Sequence, residues 1–255
     1  MMRRNRCRAQ PRSSTALLSA ALLATITLSI GLAEEPVLRL DWTAPSASGL
    51  PNGWQHLTFR NIPRHTRYTA IPEDGTYVMK AEADNSASGL IHRVMVAPEQ
   101  YPILRWRWKV ENVLRNGDLK TKKGDDYPAR IYVTFAYDPQ RASFWQRIEY
   151  ESARLLFGEY PPHSGLNYIW ESRAPVGTIA PNPFTDRVRM IVVDSGIAQL
   201  GQWVEHERNV YEDYVKVFKE APPLISGIAV MTDTDNTGES AVAWYGEISL
   251  GPAVR

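Results

Sequence analysis

Short runs of alternating or apolar residues, separated by Pro, Gly, Asn and Asp, recur along most of the chain. The clearest run is ILRWRWKV at 103–110, where Trp106 and Trp108 alternate with Arg105 and Arg107. Successive side chains of a β-strand point to opposite faces of a sheet, so this run predicts a strand with one apolar and one cationic face. We expect the tryptophans to lie in the core and the arginines on the outer face.

Further runs along the chain also have the character of strands. They are VLRLDW, TRYTAI, TYVMKAEA, GLIHRVMV, ARIYVTFAY, LNYIWES, DRVRMIVVDS, WVEHERNV, ISGIAVMTD and AVAWYGEISL. So many short strands with turn residues between them predict an all-β fold, an antiparallel β-sandwich of jelly-roll type. Two short helical insertions are predicted at 138–162 and 208–223, because apolar residues recur there near helical spacing before proline pairs.

The first 33 residues have the pattern of an export signal, with arginines followed by an apolar run and then acidic residues. We expect cleavage after Ala33, which leaves residues 34–255 as one domain in the periplasm or outside the cell. An uncleaved membrane anchor is the alternative, and any membrane contact is expected through this signal only. The only cysteine, Cys7, lies in the signal, so the remaining chain has no disulfide.

Removal of the signal also changes the charge of the chain. Taking its five arginines from the 29 basic residues leaves 24 against 28 acidic ones, a formal net charge of −4. Nonspecific nucleic-acid binding requires a basic surface, so a nucleic-acid partner is not expected.

Four blocks of sequence resemble the bacterial domain of unknown function 3047 (DUF3047) family, in the same order across nearly the whole chain after the signal. They are NSASGL, YPILRWRWKVEN, KKGDDYPARIYVTF and GIAVMTDTDNTGESAVAWYGEISL. The resemblance implies no established activity and no catalytic residues. The last block also resembles carbohydrate-binding jelly rolls, in which a final strand follows a turn rich in Asp and Asn.

The cationic row of ILRWRWKV has counterparts in other candidate strands, which carry arginine and tyrosine at alternate positions. If these strands adjoin, one sheet face presents five predicted ligand-binding residues, namely Arg105, Arg107, Arg130, Tyr132 and Arg189. Arginine suits carboxylate, sulfate or phosphate, and tyrosine stacks on sugar rings. The pattern indicates a site for an acidic saccharide or similar envelope polymer. A solvated face with cross-strand ion pairs is the alternative.

The run TDTDNTGES at 232–240 supplies hard oxygen ligands of the kind that calcium takes. Asp233, Asp235 and Glu239 are the predicted ligands of a structural calcium ion. An EF-hand is excluded because its twelfth position is Trp244 and apolar strands flank the loop. A polar hairpin turn without metal is the alternative.

These features predict an exported, noncatalytic binding protein for a carbohydrate or an anionic cell-envelope ligand. The first alternative is a polysaccharide lyase or hydrolase on the same scaffold. In that case Arg130 neutralises a substrate carboxylate, Tyr132 serves as acid or base, and Asp125 or Asp126 binds metal or takes a proton. The second alternative is an envelope protein-interaction module, which predicts a large apolar surface patch.

Overall fold

The computed structural model describes residues 37–43, 49–140, 144, 150–151 and 161–253. Their strands are β1 Leu38–Leu40, β2 Trp54–Leu57, β3 Arg67–Glu73, β4 Thr76–Asp84, β5 Ala87–Val96, β6 Ile103–Val110, β7 Arg130–Phe135, β8 Ser164–Glu171, β9 Ile179–Asn182, β10 Thr185–Ser195, β11 Val204–Asn209, β12 Ile225–Asp233 and β13 Ser240–Gly251. A 3₁₀ turn spans Lys122–Gly124, and helix α1 spans Val210–Phe218.

The strands form two sheets. The six-stranded sheet has the order β11-β6-β13-β4-β3, with β1 also paired to β13. The seven-stranded sheet has the order β2-β5-β12-β7-β8-β10-β9. All pairings are antiparallel within the described residues except β8 with β10, which are parallel. The predicted β-sandwich of jelly-roll type is confirmed, with this parallel pair as a local departure.

The core lies between the two sheets and includes the tryptophans of β6. Trp106 and Trp108 are 3% and 0% exposed, as the alternation of β6 predicts. Across the interface, Trp106 contacts Tyr168 of β8 with 5.3 Å between ring centroids, and Trp108 lies 6.4 Å from Trp170. Large aromatic side chains from both sheets therefore fill the interior, which fixes the opposite face of β6 towards solvent.

The second predicted helix is present as α1. The side chain of Asn209 caps its N-terminus by accepting a hydrogen bond from the backbone amide of Glu212, and Lys219 ends it in the left-handed conformation. Tyr214 is buried on one side of the helix and contacts Phe135 of β7, 4.5 Å between centroids. Most of the first predicted helix, at 138–162, lies outside the described residues, which include only 138–140, 144, 150–151 and 161–162 of this range.

Candidate ligand-binding groove on the six-stranded sheet

The outer face of the six-stranded sheet is built around Arg105, Arg107 and Lys109 of β6. Each is partly exposed because its neighbours along the strand point into the core. The pairing with β11 places Glu207 opposite Arg105 and Glu205 opposite Arg107. On the other side, β13 contributes Trp244 next to Lys109 and Ser249 next to Arg105. The cationic row therefore lies between strands that carry acidic and aromatic residues.

A groove of about 910 Å³ crosses this face. Strands β6, β11 and β13 supply much of its lining, and the segments after β1 and at the start of β4 supply further residues. The lining residues are Asp41, Trp42, Thr43, Thr76, Tyr77, Arg105, Trp106, Arg107, Glu205, His206, Glu207, Glu247 and Ser249. Tyr77 is 38% exposed and places an aromatic ring at this groove. The groove combines a ring surface with charged hydrogen-bonding groups.

The arginines of the groove do not make it basic. Arg105 forms an ion pair with Glu207, with 2.8 Å from Nε to Oε2, and Arg39 of β1 pairs with Glu247. Arg107 forms no ion pair within the described residues and packs instead against an indole ring. The expectation of a basic sheet face is therefore wrong, because adjacent strands supply carboxylates that the sequence pattern of β6 alone does not show.

Two tryptophans extend the face beyond the groove. The guanidinium carbon of Arg107 lies 4.5 Å from the ring centroid of Trp203, and the amine of Lys109 lies 4.8 Å from Trp203 and 4.7 Å from Trp244. Both indoles are only half-buried. The cations hold the rings in fixed positions, and cation–π contacts of this kind contribute about 0.5–1 kcal/mol each at exposed sites.

A hydrogen bond across the face shows that it is concave. The indole nitrogen of Trp203, just before edge strand β11, donates to Oε1 of Glu73 at 2.7 Å, and Glu73 ends the opposite edge strand β3. Four strand spacings separate these edges by roughly 19 Å in a flat sheet. These side chains can meet only if the sheet curls, or the tip of the β3–β4 hairpin beyond its pairing with β13 bends, towards the outer face.

A glycine opens the floor of the groove. Gly246 is at the irregular pairing of β13 with β6, and a Cβ there would lie 2.4 Å from Cγ of Arg107. The carbonyl of Gly246 also accepts a hydrogen bond from the buried indole of Trp42, at 2.6 Å. The absence of a side chain at position 246 thus leaves the space that the stem of Arg107 occupies.

The other predicted ligand-binding residues lie on the other sheet. Arg130 and Tyr132 are on β7, on its outer face, because Ile131 and Val133 between them point into the core. Arg189 of β10 pairs in register with the core residue Leu166 and therefore points to the inner side of the sheet, away from the face that carries Arg130 and Tyr132. Its guanidinium carbon lies 5.3 Å from the ring centroid of Phe218. The assumption of one shared face for all five residues is wrong, since strand order could not be read from the sequence.

Arg130 is held in a sealed polar cluster. It is 4% exposed and forms an ion pair with the buried carboxylate of Asp233, while Asp125 lies 3.9 Å away. Arg130 thus lies beside Asp125 of its own GDDYPAR segment, residues 124–130, and this segment does not line the groove on the six-stranded sheet. Burial raises the pKa of the neighbouring Tyr132 above its ordinary value of 10.0, which makes this phenol a poor base near neutral pH.

Three carboxylates meet beside this cluster. One ligand oxygen from each of Asp126, Asp233 and Asp235 lies within 4.8 Å of the others. Glu239 is not among them, because its carboxylate accepts the backbone amides of Arg115 at 3.0 Å and Asn116 at 2.9 Å. The predicted ligands Asp233 and Asp235 are thus brought together, with Asp126 where Glu239 was expected. The donor set consists of hard oxygens and fits calcium, and calcium binding stays a prediction.

The surroundings of this cluster disfavour the ionised form of several of its carboxyl groups. Burial, followed by the nearby charge of Asp126, raises the pKa of Asp235 above its ordinary value of 3.8. Burial also raises the pKa of Asp233, although the Arg130 guanidinium opposes this shift. Asp126 is bound in the turn, since it accepts the backbone amides of Asn236 and Thr237. A proton or a cation at this point relieves the repulsion between the carboxylates.

The groove residues missed by the sequence analysis are mainly carboxylates. Glu205 and Glu207 alternate in WVEHERNV, which the sequence predicts as a strand without indicating that it pairs with β6. Trp244 and Tyr77 also belong to recognised strands. The available signal was the matching alternation of charges in WVEHERNV and ILRWRWKV.

The fold defines the class of this protein as a single-chain β-sandwich with an open groove on one sheet. The chain belongs to the family described as "Protein of unknown function (DUF3047)", whose model matches residues 52–249. A search of curated proteins finds no match.

Among solved structures, similarity extends to a family 11 carbohydrate-binding module of the cellulosomal cellulase Lic26A-Cel5E of Clostridium thermocellum. Its TM-score is 0.43 at 9% identity, with 86% of this chain and 96% of that chain covered. The cleaved adhesin domain K1 of Lys-gingipain from Porphyromonas gingivalis has a TM-score of 0.37 at 10% identity, covering 86% and 99%. The function proposed below rests on the groove and on neither of these likenesses.

Within the part of the chain that the structure describes, no helix has the length and apolar character needed to cross a membrane.

Proposed function

We propose that this protein is an exported, noncatalytic binding protein for a carbohydrate, which lies in the groove on the six-stranded sheet. The observation that supports this proposal is the combination, on one concave face, of the exposed ring of Tyr77 and the half-buried rings of Trp203 and Trp244 with charged hydrogen-bonding groups. Sugar rings present apolar C–H faces and a rim of hydroxyls. An aromatic ring covers the former while guanidinium and carboxylate groups bind the latter.

Different side chains of this face are proposed to stack on the sugar rings and to bind the hydroxyls. Tyr77 is at one part of the groove, while Trp203 and Trp244 form half-buried ring surfaces beside Arg107 and Lys109. Arg107 has no carboxylate partner among the described residues, so its N–H groups remain available to pairs of hydroxyls. The ion pair of Arg105 with Glu207 keeps a donor and an acceptor in fixed positions. Such preorganised groups lower the entropy cost of binding a flexible chain.

The arrangement around Arg130 supports a noncatalytic function over the lyase alternative. The residues assigned to that chemistry, Arg130, Tyr132 and Asp125, do converge, but Arg130 and Asp125 are each 4% exposed. Arg130 is also already neutralised by Asp233. A substrate carboxylate therefore has no exposed guanidinium to bind at this point.

The test is binding of residues 34–255 to an array of oligosaccharides, followed by calorimetry on the best ligand. We expect Arg107→Ala to weaken binding about tenfold or more, a loss of at least about 1.4 kcal/mol. The matched control is Arg64→Ala, because Arg64 is an exposed arginine that pairs with Asp84 and does not line the groove. Product analysis of the same mixtures detects turnover. Equal losses for both variants, or no binding to any glycan, would overturn the proposal.

A further inference from the structure

The charges around the groove carry information about its ligand. Four carboxylates line it, those of Asp41, Glu205, Glu207 and Glu247, against the guanidinium groups of Arg105 and Arg107. Arg39 compensates Glu247 and Arg105 compensates Glu207. Asp41 and Glu205 then remain without an ion-pair partner among the described residues, and Arg107 is the only lining arginine left to oppose them. The groove carries an excess of negative charge.

The position of Arg107 weakens its ability to offset this excess. Its guanidinium packs against the ring of Trp203 and is directed towards the tryptophan side of the face. Glu205 is its partner in the strand register, yet the two form no ion pair within the described residues. The exposed carboxylates of Glu205 and Asp41 thus face solvent without a fixed cation. An acidic ligand entering the groove meets like charges, which are unfavourable at short range.

We infer that the groove selects a saccharide without acidic groups and binds one that carries amino groups most tightly. This inference rests on the proposed function and specifies its ligand class. It replaces the acidic polymer expected from the cationic row of β6. An ammonium group on the sugar pairs with the unpaired carboxylates, while neutral units bind through hydroxyls and ring stacking. A uronic acid or sulfate has only Arg107 to accept it and is repelled by the surrounding carboxylates.

The test uses matched tetrasaccharides that share a linkage and differ in one charged substituent of each unit. β-1,4-linked and β-1,3-linked tetramers are each prepared with glucose, glucosamine or glucuronic acid units, and binding to residues 34–255 is measured at two salt concentrations. On the backbone that binds, we expect the glucosamine form to bind about two- to fivefold more tightly than the glucose form, the range of exposed charge pairs. This advantage decreases at high salt because exposed charges are screened. The glucuronic acid form binds most weakly.

A substitution in the groove tests whether its carboxylates cause the selectivity. Glu205→Gln keeps the size of the side chain and removes one unpaired carboxylate. It is expected to reduce the ratio of glucosamine to glucose affinity and to improve binding of the glucuronic acid form. Glu99→Gln is the matched control, since Glu99 is exposed and does not line the groove.

The outcomes separate this inference from the proposed function. Tightest binding of the glucuronic acid form, or an unchanged affinity ratio in Glu205→Gln, overturns the charge selectivity while a binding function remains. Absence of binding to all six tetramers and to the whole oligosaccharide array overturns the proposed function and, with it, the inference.

Discussion

The outer faces of the two sheets both carry arginines that the sequence predicts as ligand readers, yet they differ in what surrounds each arginine. On the six-stranded sheet, Arg105 and Arg107 are partly exposed beside an open groove. On the seven-stranded sheet, Arg130 is buried beside Asp125 and Tyr127 of its own GDDYPAR segment and paired with Asp233. The same residue type is thus partly exposed at an open groove on one face and part of a buried ion pair on the other.

The difference follows from solvent access. An exposed ion pair such as Arg105 with Glu207 is weakened by water and salt, so loss of either partner costs little stability. In the pair of Arg130 with Asp233, removal of either group leaves an uncompensated buried charge. Alternation along a strand identifies the outer face. Whether an arginine on that face is exposed or buried depends on the residues that cover it.

The largest predicted effect is on stability when Arg130 is replaced. Arg130→Met leaves the carboxylate of Asp233 buried without its cation and should lower the free energy of unfolding by about 3–5 kcal/mol. Arg105→Met removes an exposed pair and should cost less than about 1 kcal/mol. Urea denaturation of both variants gives the two values. Similar losses for the two substitutions would show that the faces do not differ as described.

An intermediate effect is predicted at the floor of the groove. In Gly246→Ala the new Cβ displaces the stem of Arg107 without removing any charge. Saccharide binding should weaken about tenfold, or about 1.4 kcal/mol, while the fold is retained. Gly165→Ala is the control, because a Cβ at this position on the seven-stranded sheet meets its neighbours no closer than 3.5 Å. Unchanged affinity in Gly246→Ala would place the ligand elsewhere.

The smallest predicted effect concerns pH and the carboxylates beside Arg130. The pKa of Asp235 is raised above 3.8 in the folded protein, so its ionised form destabilises the fold at neutral pH. Asp235→Asn should therefore raise the free energy of unfolding at pH 7, by less than about 1 kcal/mol for a half-exposed group. This gain should shrink as pH falls through the raised pKa and vanish below 3.8, where both states are protonated. Thermal unfolding at several pH values measures it.

Calcium offers a second way to relieve the same repulsion. If Asp126, Asp233 and Asp235 bind the ion predicted from the sequence, calcium raises the melting temperature of the unmodified protein, and less so that of Asp235→Asn. Magnesium, which demands stricter octahedral geometry, serves as the comparison. An equal calcium response in both proteins would contradict the predicted site.

Much of the fold could be predicted from local patterns. The alternation in ILRWRWKV correctly assigned Trp106 and Trp108 to the core, because side-chain direction in a strand depends only on the backbone. Helix α1 was likewise predicted from spacing and the following prolines. The parallel pairing of β8 with β10 was not predicted, since it depends on contacts between segments distant in sequence.

The candidate site was predicted only in part. Arg105 and Arg107 line the groove, whereas Arg130, Tyr132 and Arg189 lie on the other sheet and on different faces of it. The alternation within a strand shows which of its side chains share a face. The error was to assume that strands with similar faces are neighbours, which their spacing along the chain does not establish.

The sequence by itself determined the strand periods, the residues of β6 that enter the core and those that face outward, because these follow from local backbone geometry. Only the tertiary structure decided which strands are neighbours. It placed Glu205 and Glu207 beside the arginines of β6 and Asp233 beside Arg130. The net charge of a groove and the burial of an ion pair are sums over segments far apart in the chain, so no single run of residues contains them.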